Sequence, residues 1–255
     1  MVRQGPLGRR GGGDRRRVLI LGSTGRSFAR PGLSTILLDL DGTLVDPAPG
    51  IVGSFRHALD ALGRPAEPAD DLLWVIGPPI RETFAAVLGD QEGVENGVRL
   101  YRERYGAWGL FEAAVYDGVP TALSELRANG LNLLVCTSKA AVFARRVVDH
   151  FGLSDWLSGV YGPDLDGRFD DKGDLIAHIL SVEGLASDQV LMVGDRKHDV
   201  LAAARHGIPS IGVLWGYGAE EELRAAGVGT LIAHPSELPA ACLEPDAIGR
   251  NRSKG

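Results

Sequence analysis

The chain has 255 residues, of which 44% are hydrophobic and 24% charged, and these values are ordinary for a soluble globular protein. The net charge of −6 argues against a general nucleic-acid binder, and no apolar run is long enough to cross a membrane. The two cysteines, Cys136 and Cys242, are too few for a disulfide framework, which favours a reducing, cytoplasmic location. A chain of this length accommodates one large domain or a core domain with a smaller insert.

The first 33 residues form a basic segment rich in Gly and Arg. Eight Arg and a single acid, Asp14, give this segment a charge of +7, which leaves −13 for the rest of the chain. Such a composition buries little surface, so we predict a disordered extension over residues 1–33. Residues 18–25 are typical of a strand running into a glycine turn, but Pro31 interrupts the helix that a dinucleotide site would need. A mistaken start codon and an Arg-rich targeting segment are the alternatives.

The segment at residues 35–46 organises the rest of the chain. Its first four residues, Thr-Ile-Leu-Leu, are typical of a strand buried on both faces. Asp39 and Asp41 follow, and side chains two residues apart in an extended segment point the same way. Gly42 then lets the chain turn sharply. The pair is therefore expected where open α/β sheets bind ligands, with a solvated Asp-Gly turn as the alternative. A calcium loop is disfavoured because the bidentate Glu that it needs is missing further on.

The closeness of the two carboxylates has a chemical consequence. Two like charges this close repel each other, so the pair needs a compensating charge. A divalent cation would neutralise one carboxylate and let the other hold a proton. This predicts a division of labour in which Asp39 is a nucleophile and Asp41 is a general acid and then a general base.

Residues 47–117 have the pattern of a helical insert. Apolar residues recur with helical spacing in three stretches, and no convincing strand interrupts them. A helical module directly after the Asp39 turn is placed to act as a lid over the site. Within it, Arg81 is a candidate contact for a substrate carboxylate or a second phosphate, with a solvated helix Arg as the alternative. Trp74 and Trp108 either line a base pocket or fill the core, and core filling is favoured.

The pattern changes to alternating helices and strands from residue 118 onwards. Pro120 and Gly130 mark the start and end of one helix. The alternation implies a parallel sheet with helices on both faces, a Rossmann-like three-layer α/β core formed by residues 34–46 and 118–240. Residues 241–255 are predicted to be a flexible tail. The other helices are expected at 140–151, 175–182 and 200–206, and the strands at 131–136, 159–161, 190–193, 210–214 and 230–233.

Polar residues follow three of the predicted strands, and the carboxyl ends of parallel strands share one edge of a sheet. The residues expected to converge there are Asp39 with Asp41, Thr137 with Ser138, and Asp195 with Asp199. Lys172, just before a helix, adds a point charge that stabilises a transferring phosphoryl group. Because Mg²⁺ prefers a few carboxylates together with waters and substrate oxygens, the set predicts a site for phosphate and Mg²⁺.

Each of these residues also has a purely structural interpretation. Thr137 and Asp199 are good helix caps, and a lone lysine such as Lys172 is more often a solvated charge. Cys136 is expected to be buried and inert, and His198 to lie at the surface. The functional interpretation depends on the joint order, because the structural alternatives would have to coincide at successive strand ends. A binding or scaffold module with the same fold is the rival function.

Four motifs follow one another along the chain, at residues 39–43, 133–137, 172 and 194–199. Their order resembles that of the haloacid dehalogenase-like hydrolase superfamily over roughly residues 34–240. The resemblance implies a Rossmann-like core, a helical cap inserted after the first motif, and an aspartyl-phosphate intermediate on Asp39. It also implies Mg²⁺ held by Asp39, Asp195 and the backbone carbonyl of Asp41, with Asp199 in support. The four motifs are Asp39-Leu40-Asp41-Gly42-Thr43, Leu133-Leu134-Val135-Cys136-Thr137, Lys172, and Gly194-Asp195-Arg196-Lys197-His198-Asp199.

Within the superfamily the chain is most similar to the phosphoglycolate phosphatase-like branch, and more narrowly to a bacterial 5′-nucleotidase group. The segments that carry this narrower resemblance are 77–84, 105–112 and 212–218. Dehalogenases of the superfamily lack the second aspartate, so Asp41 favours phosphoryl transfer.

The resemblance therefore implies a Mg²⁺-dependent phosphomonoesterase. Its expected substrate is a small phosphorylated metabolite, with a nucleoside 5′-monophosphate as the first choice and 2-phosphoglycolate as the second. A phosphomutase, which would have to shield the phosphoaspartate from water, is disfavoured. A monomer or a homodimer is expected. The expected catalytic residues are Asp39, Asp41, Thr137 and Lys172, and the expected substrate contacts are Gly42, Ser138 and Arg81.

Overall fold

The computed structural model describes residues 32–64 and 69–243. The predicted Arg-rich extension up to residue 31, the strand predicted within it, and the tail after residue 243 lie outside the described residues. Among the helices of the described part, none is both long enough and apolar enough to span a bilayer.

The described residues form eight strands, six of which make one parallel sheet. The sheet order is β5-β4-β1-β6-β7-β8, and the two remaining strands, β2 and β3, pair with each other. The predicted α/β class and parallel sheet are therefore confirmed. The strands are β1 (Thr35–Leu38), β2 (Val45–Asp46), β3 (Ala114–Val115), β4 (Asn132–Cys136), β5 (Gly159–Tyr161), β6 (Val190–Gly194), β7 (Ser210–Val213) and β8 (Thr230–Ile232).

Nine α-helices accompany these strands in the described ranges. Four short 3₁₀ helices lie between them, at Ala69–Val75, Gly109–Phe111, Ser187–Gln189 and Pro235–Glu237. The α-helices are α1 (Ala48–Ala61), α2 (Ile80–Leu88), α3 (Gln91–Ala107), α4 (Val119–Ala128), α5 (Ala141–His150), α6 (Lys172–Glu183), α7 (Lys197–Ala204), α8 (Glu220–Ala225) and α9 (Leu238–Leu243).

The sheet is the middle layer of a three-layer core. Successive residues of a strand point to opposite faces, and the alternation is visible in β1. Ile36 and Leu38 join one buried cluster together with residues of α4 and α5, whereas Leu37 joins a second cluster with residues of α6 and α7. Both faces of β1 are thus covered, which explains why its sequence is continuously apolar.

The strand order reverses beside β1, and this places the site. From β1 the chain adds β4 and β5 on one side of the sheet, then returns to add β6, β7 and β8 on the other. Ligands of open α/β sheets bind outside the carboxyl ends of the strands at such a point. Asp39 follows β1 and Asp195 follows β6, so both acids leave adjacent strands at the reversal.

Residues between β2 and β3 form a helical region that is built on a small antiparallel ribbon. Val45 pairs with Val115 and Asp46 with Ala114. The expectation that residues 47–117 contain no strand was therefore wrong, because a two-residue strand is too short to show an alternating pattern. The ribbon holds together the two points where the chain leaves and re-enters the core.

Arg196 ties this helical region to the core. Its guanidinium donates hydrogen bonds to the Ile76 carbonyl oxygen and to the Glu222 carboxylate, the latter at 2.9 Å. Gly77 has φ +109°, and a Cβ at this position would press against the Arg196 side chain. The glycine of the predicted turn at 77–79 is thus needed both for its backbone conformation and for this close approach.

Two helices begin earlier than the apolar pattern predicts, and the tail begins later. Asp171 caps α6 by accepting a hydrogen bond from the Asp174 N–H at 2.9 Å, so Lys172 lies in its first turn. Helix α7 likewise begins at Lys197 rather than at residue 200. The first turns of both helices are polar, so apolar spacing does not reveal where the helices begin.

The predicted tail boundary at 241 was wrong, since α9 continues to a buried Leu243.

Candidate active site

The loop after β1 brings Asp39 and Asp41 to one cavity. The Asp39 N–H donates to the Val193 carbonyl oxygen at 2.9 Å, which ties the start of the loop to β6. The Leu40 carbonyl oxygen then accepts hydrogen bonds from the Leu44 and Val45 N–H groups, and the chain closes on itself. Both carboxylates are almost completely buried, which excludes the alternative of a solvated Asp-Gly turn.

Gly42 makes the tight loop possible. Its φ of +83° lies in the left-handed region, and a Cβ there would collide with the carboxylate of Asp195. Gly216 also has no space for a Cβ, which would collide with the Gly42 carbonyl oxygen and the Asp195 carboxylate. The two glycines together form a narrow cradle around the Asp195 carboxylate. The structure thus gives Gly42 a clear conformational role, while its predicted substrate contact remains a prediction.

Lys172 connects Asp39, which follows β1, with Asp199 in the first turn of α7. Its Nζ lies 2.8 Å from Asp39 Oδ1 and also donates to Asp199 Oδ1. The lysine is only 8% exposed, so its interpretation as a solvated charge was wrong. Burial alone would lower the pKa of Lys172, but the charges of Asp199 and Asp39 raise it above its ordinary value. The ammonium is therefore a permanent positive charge beside Asp39.

Asp199 combines the two roles that the sequence leaves open. Its Oδ2 accepts a hydrogen bond from the Arg196 N–H at 3.0 Å, as a capping residue would, while its Oδ1 pairs with Lys172. Thr137, by contrast, is not the cap of α5, because the N-cap position belongs to Ala140. Thr137 is buried, and its Oγ1 accepts a hydrogen bond from the Lys139 N–H at 3.2 Å.

Asp195 is the most deeply buried acid of the site, with no exposed surface. Its Oδ2 accepts a hydrogen bond from the Tyr217 N–H at 2.7 Å. Its Oδ1 is buried and has no hydrogen-bond partner among the described residues. A buried carboxylate oxygen in this state is costly unless another group engages it.

Three acids meet closely enough to hold a cation. Asp39, Asp195 and Asp199 each offer a carboxylate oxygen, and these oxygens lie within 4.8 Å of one another. Hard cations such as Mg²⁺ take oxygen ligands of this kind. The Oδ1 of Asp195 is buried and has no partner among the described residues, so it is available to such an ion, and the residues fit the predicted metal site. The Asp41 side chain stands outside this group and pairs with Lys139 instead.

The pKa shifts of these acids have burial as their main cause. Burial raises the pKa of Asp39 to about 6 against the lowering effect of Lys172, while the charge of Asp199 adds to the rise. Burial and the charges of Asp39 and Asp199 raise the pKa of Asp195 well above its ordinary value. Burial likewise raises the pKa of Asp41, opposed by Lys139. Without a cation, the acids therefore hold protons more tightly than free carboxyl groups do.

The cavity over Asp39 and Asp41 has a volume of about 60 Å³. Its floor comes from the core and includes Thr137 and Ser138, whereas its roof comes from the helical region and includes Arg81. Arg81 donates to Glu95 and to the Leu165 carbonyl oxygen, each at 3.3 Å, so it is neither free in solvent nor fully enclosed. The predicted catalytic residues Asp39, Asp41 and Thr137 thus line one cavity, and Lys172 contacts Asp39 beneath it. Two of the predicted substrate contacts, Ser138 and Arg81, line the same cavity.

Several residues of the site were not predicted from the sequence. Lys139 pairs with Asp41, and Tyr101, Tyr105 and Arg102 line the roof of the cavity. The two tyrosines lie four residues apart on α3, and this spacing predicts a helix without indicating that the rings reach the site. Lys139 directly follows Thr137 and Ser138, so its position next to two candidate residues was the available signal.

Other expectations about individual side chains had mixed outcomes. Cys136 is buried as predicted, and burial raises the pKa of its thiol to about 12, which keeps it inert. The expectation that Trp74 and Trp108 fill the core was wrong, since they are 43% and 70% exposed. His198 is partly buried, because it lies in the first turn of α7 rather than on an open loop.

Comparisons with known proteins show several relatives of this chain. A 5′-nucleotidase of Pseudomonas aeruginosa is 45% identical over 191 residues, which cover 74% of this chain and 86% of that protein. The tyrosine-protein kinase PtkA of Mycobacterium tuberculosis is 39% identical over 84% of this chain and 73% of its own length. A phosphoglycolate phosphatase of Caulobacter vibrioides is 32% identical over 82% and 91% of the two chains.

The chain is also similar to solved structures. A predicted phosphatase from Clostridium acetobutylicum superimposes with a TM-score of 0.81 at 36% identity, covering 83% of this chain and 98% of that one. The profile of the haloacid dehalogenase-like hydrolase family matches residues 36–213, which contain all the predicted site residues. With its parallel sheet, its paired aspartates at the strand end and this match, the chain belongs to the haloacid dehalogenase-like hydrolase family.

Proposed function

We propose that this chain is a Mg²⁺-dependent phosphomonoesterase that works through an aspartyl phosphate on Asp39. One observation carries the proposal: Asp39 and Asp41 line the same cavity, and each is paired with its own lysine, Lys172 and Lys139. Two carboxylates in different environments are suited to different roles in acid–base chemistry. The family and the relatives named as phosphatases support the phosphatase activity.

The first half of the reaction forms the phosphoenzyme. A carboxylate oxygen of Asp39 attacks phosphorus in line as the ester bond breaks, and Asp41 gives its proton to the leaving oxygen. Lys172 lies 2.8 Å from Asp39 Oδ1, where its charge stabilises the transferring phosphoryl group. The Thr137 hydroxyl, buried at the end of β4, is the donor for a phosphoryl oxygen.

The second half releases phosphate. Asp41, now ionised, takes a proton from a water molecule that attacks phosphorus, and the bond between phosphorus and Asp39 breaks. This restores both aspartates to their starting states. The helical region above the cavity limits the entry of bulk water, as closing elements of active sites do.

A metal ion at this site would be held by Asp39, Asp195 and the backbone carbonyl of Asp41, with Asp199 in support. When bound, it would neutralise charge on the carboxylates and on the phosphoryl oxygens. The buried Oδ1 of Asp195, unpartnered in the described structure, supports this assignment.

We further propose nucleoside 5′-monophosphates as the substrate class. The main support is the 45% identity to a protein named 5′-nucleotidase. The roof of the cavity offers two aromatic rings, Tyr101 and Tyr105, and two cations, Arg81 and Arg102, for a base and for anionic oxygens. The alternative is 2-phosphoglycolate, which is favoured by the small cavity of about 60 Å³. Such a volume has room for only a few water molecules.

Phosphate release from purified protein tests the proposal. The panel contains nucleoside 5′-monophosphates, 2-phosphoglycolate and small sugar phosphates, each with Mg²⁺ and with a chelator. We expect Mg²⁺-dependent release that is abolished in Asp39→Asn and retained in Asp60→Asn, a matched control at an exposed position on α1.

The outcomes separate the candidates. A higher kcat/KM for nucleoside monophosphates than for 2-phosphoglycolate would establish the first substrate class, and the reverse order would establish the second. Folded protein that releases phosphate from none of these esters would contradict the phosphatase proposal and favour a binding module.

A further inference from the structure

Lys139 links the proposed acid and base, Asp41, to the helical region above it. Its Nζ lies 2.8 Å from Asp41 Oδ1 and also donates to the hydroxyl of Tyr105 on α3. The Lys139 side chain is only 5% exposed, so water competes little for the ammonium group. One buried cation thus bridges a core carboxylate and a phenol from the roof.

The backbone of Lys139 is held in place from two sides. Its N–H donates to Thr137 Oγ1 at 3.2 Å. Its carbonyl oxygen packs against Gly162, where an added Cβ would collide with it. The side chain therefore extends from a defined point at the end of β4 towards Asp41.

Tyr105 is equally well defined. Its ring stacks on Tyr101 with 5.1 Å between the ring centroids, and its edge contact with Phe143 has a centroid distance of 5.7 Å. These ring contacts hold the Tyr105 hydroxyl group in place, and the hydroxyl in turn holds the Lys139 ammonium group in place.

The two lysines of the site serve different acids. Lys172 donates hydrogen bonds to Asp39 and Asp199, and Lys139 forms an ion pair with Asp41. A variant without Lys139 would retain the Asp39 pair but would leave Asp41 buried without its ion-pair partner. The effect of Lys139 is therefore separable from that of Lys172.

We propose that Lys139 is a positioning residue for Asp41, itself positioned by Tyr105. The ammonium engages Asp41 Oδ1 and turns Oδ2 towards the leaving oxygen. In the first step, Oδ2 gives its proton to that oxygen while the ester bond breaks and the bond from Asp39 to phosphorus forms. Lys139 keeps its own protons throughout. This inference rests on the proposed phosphatase function and adds to it a residue and a contact with the roof.

Dependence on the leaving group distinguishes positioning of an acid from a general structural role. An alkyl phosphate needs a proton on its leaving oxygen, whereas nitrophenolate leaves without one. The measurement is kcat/KM, which reports phosphoryl transfer to Asp39, for alkyl phosphates and for aryl phosphates with leaving groups of decreasing pKa. In Lys139→Met we expect about a 10- to 100-fold loss for alkyl esters and a much smaller loss for p-nitrophenyl phosphate.

Further variants complete the test. Lys139→Arg should restore part of the lost activity, and Tyr105→Phe should show the same dependence on the leaving group with a smaller amplitude. Asp41→Asn should show it with a larger one. Arg99→Met, which removes an exposed charge from the same helix as Tyr105, should leave all ratios unchanged. If Lys139→Met does not fold, Tyr105→Phe and Lys139→Arg provide the same comparison.

Two results would overturn the inference while leaving the phosphatase proposal intact. The first is an equal loss for alkyl and aryl esters in Lys139→Met, with Asp39→Asn inactive. The second is no loss for either ester. An Asp39→Asn variant that keeps its activity would instead overturn the proposed function, and the two failures are therefore distinguishable.

Discussion

The floor and the roof of the cavity are built on different principles. The floor, taken together with the buried residues beneath it, contains Asp39, Asp195, Asp199 and Lys172, all nearly fully buried, and of these four Asp39 lines the cavity itself. Lys172 pairs with Asp39 and Asp199, and Asp195 accepts a backbone hydrogen bond from Tyr217. Arg81, in the roof, has a side chain that is 26% exposed and is held by single hydrogen bonds.

This difference separates reaction chemistry from substrate choice. Buried charges are costly unless their partners are held in place, so the floor tolerates little change. Half-exposed polar contacts contribute little to stability, so the roof is free to vary with the substrate. Variants in the floor should therefore affect folding and turnover together. Variants at partly exposed roof residues such as Arg81 should affect substrate binding alone, whereas the buried Tyr105 is expected to act on the reaction through Lys139.

The largest effect is expected from Lys172→Met in the floor. The substitution leaves two buried carboxylates, those of Asp39 and Asp199, without their cation, which should lower the free energy of unfolding by about 3–5 kcal/mol in the absence of metal. Loss of the charge beside the phosphoryl group should lower kcat by about 10²–10³-fold. Urea unfolding with and without Mg²⁺, together with steady-state kinetics, measures both effects. Unchanged stability without metal would contradict the described ion pairs.

Gly42→Ala should have the next largest effect. The new Cβ would meet the Asp195 carboxylate, and φ is +83°, so we expect a loss of about 3 kcal/mol in the free energy of unfolding. Gly63→Ala is the matched control, because Gly63 has φ +70° with open space around it. The control should cost only about 1 kcal/mol, the strain of the backbone itself. Equal losses in urea unfolding would mean that the cradle around Asp195 is not tight.

The pH dependence of stability tests the burial of Asp39. Its pKa is raised from the ordinary value of 3.8 to about 6, so the folded protein binds this proton more tightly than the unfolded chain does. Without metal, stability should therefore fall as the pH rises from about 4 to about 6, by on the order of 1–3 kcal/mol. Mg²⁺ should offset the loss above pH 6, where the carboxylate is free to bind it.

Urea unfolding of the wild-type protein and Asp39→Asn across this pH range, in chelator, isolates the contribution of Asp39. The variant should have a flatter profile, because Asn does not titrate. Identical profiles for the two proteins would show that Asp39 titrates in the folded protein as it does in the unfolded chain.

The smallest effect on the fold is expected in the roof. Arg81→Met should raise KM about 10-fold and leave kcat within about threefold, because the proposed function places Arg81 against the substrate and away from the reacting atoms. Its ion pair with Glu95 is partly exposed, so the free energy of unfolding should change by less than about 1 kcal/mol. Arg224→Met, at an exposed ion pair outside the cavity lining, is the matched control. A large fall in kcat with unchanged KM would place Arg81 in the chemistry of the floor.

Much of the floor was predictable from the sequence. A continuously apolar strand followed by Asp39 and Asp41 is a local pattern, and the parallel sheet then requires successive strand ends to meet at one edge. Local sequence patterns were also sufficient to predict that Asp195 follows a strand and that the region between β2 and β3 is mainly helical. These features follow from periodicity and chain direction, which short segments carry by themselves.

The tertiary structure decided what short segments do not carry. The assignment of Lys139 to Asp41 and of Lys172 to Asp39 depends on side chains brought together from distant parts of the chain. The exposure of Trp74 and Trp108 depends on which helix faces pack inwards. Apolar spacing identifies a helix face, but it does not state which partner, core or cavity, that face meets. For this reason the helical spacing of Tyr101 and Tyr105 predicted a helix and nothing about the site, whereas the structure shows that Tyr105 lines the cavity and contacts Lys139.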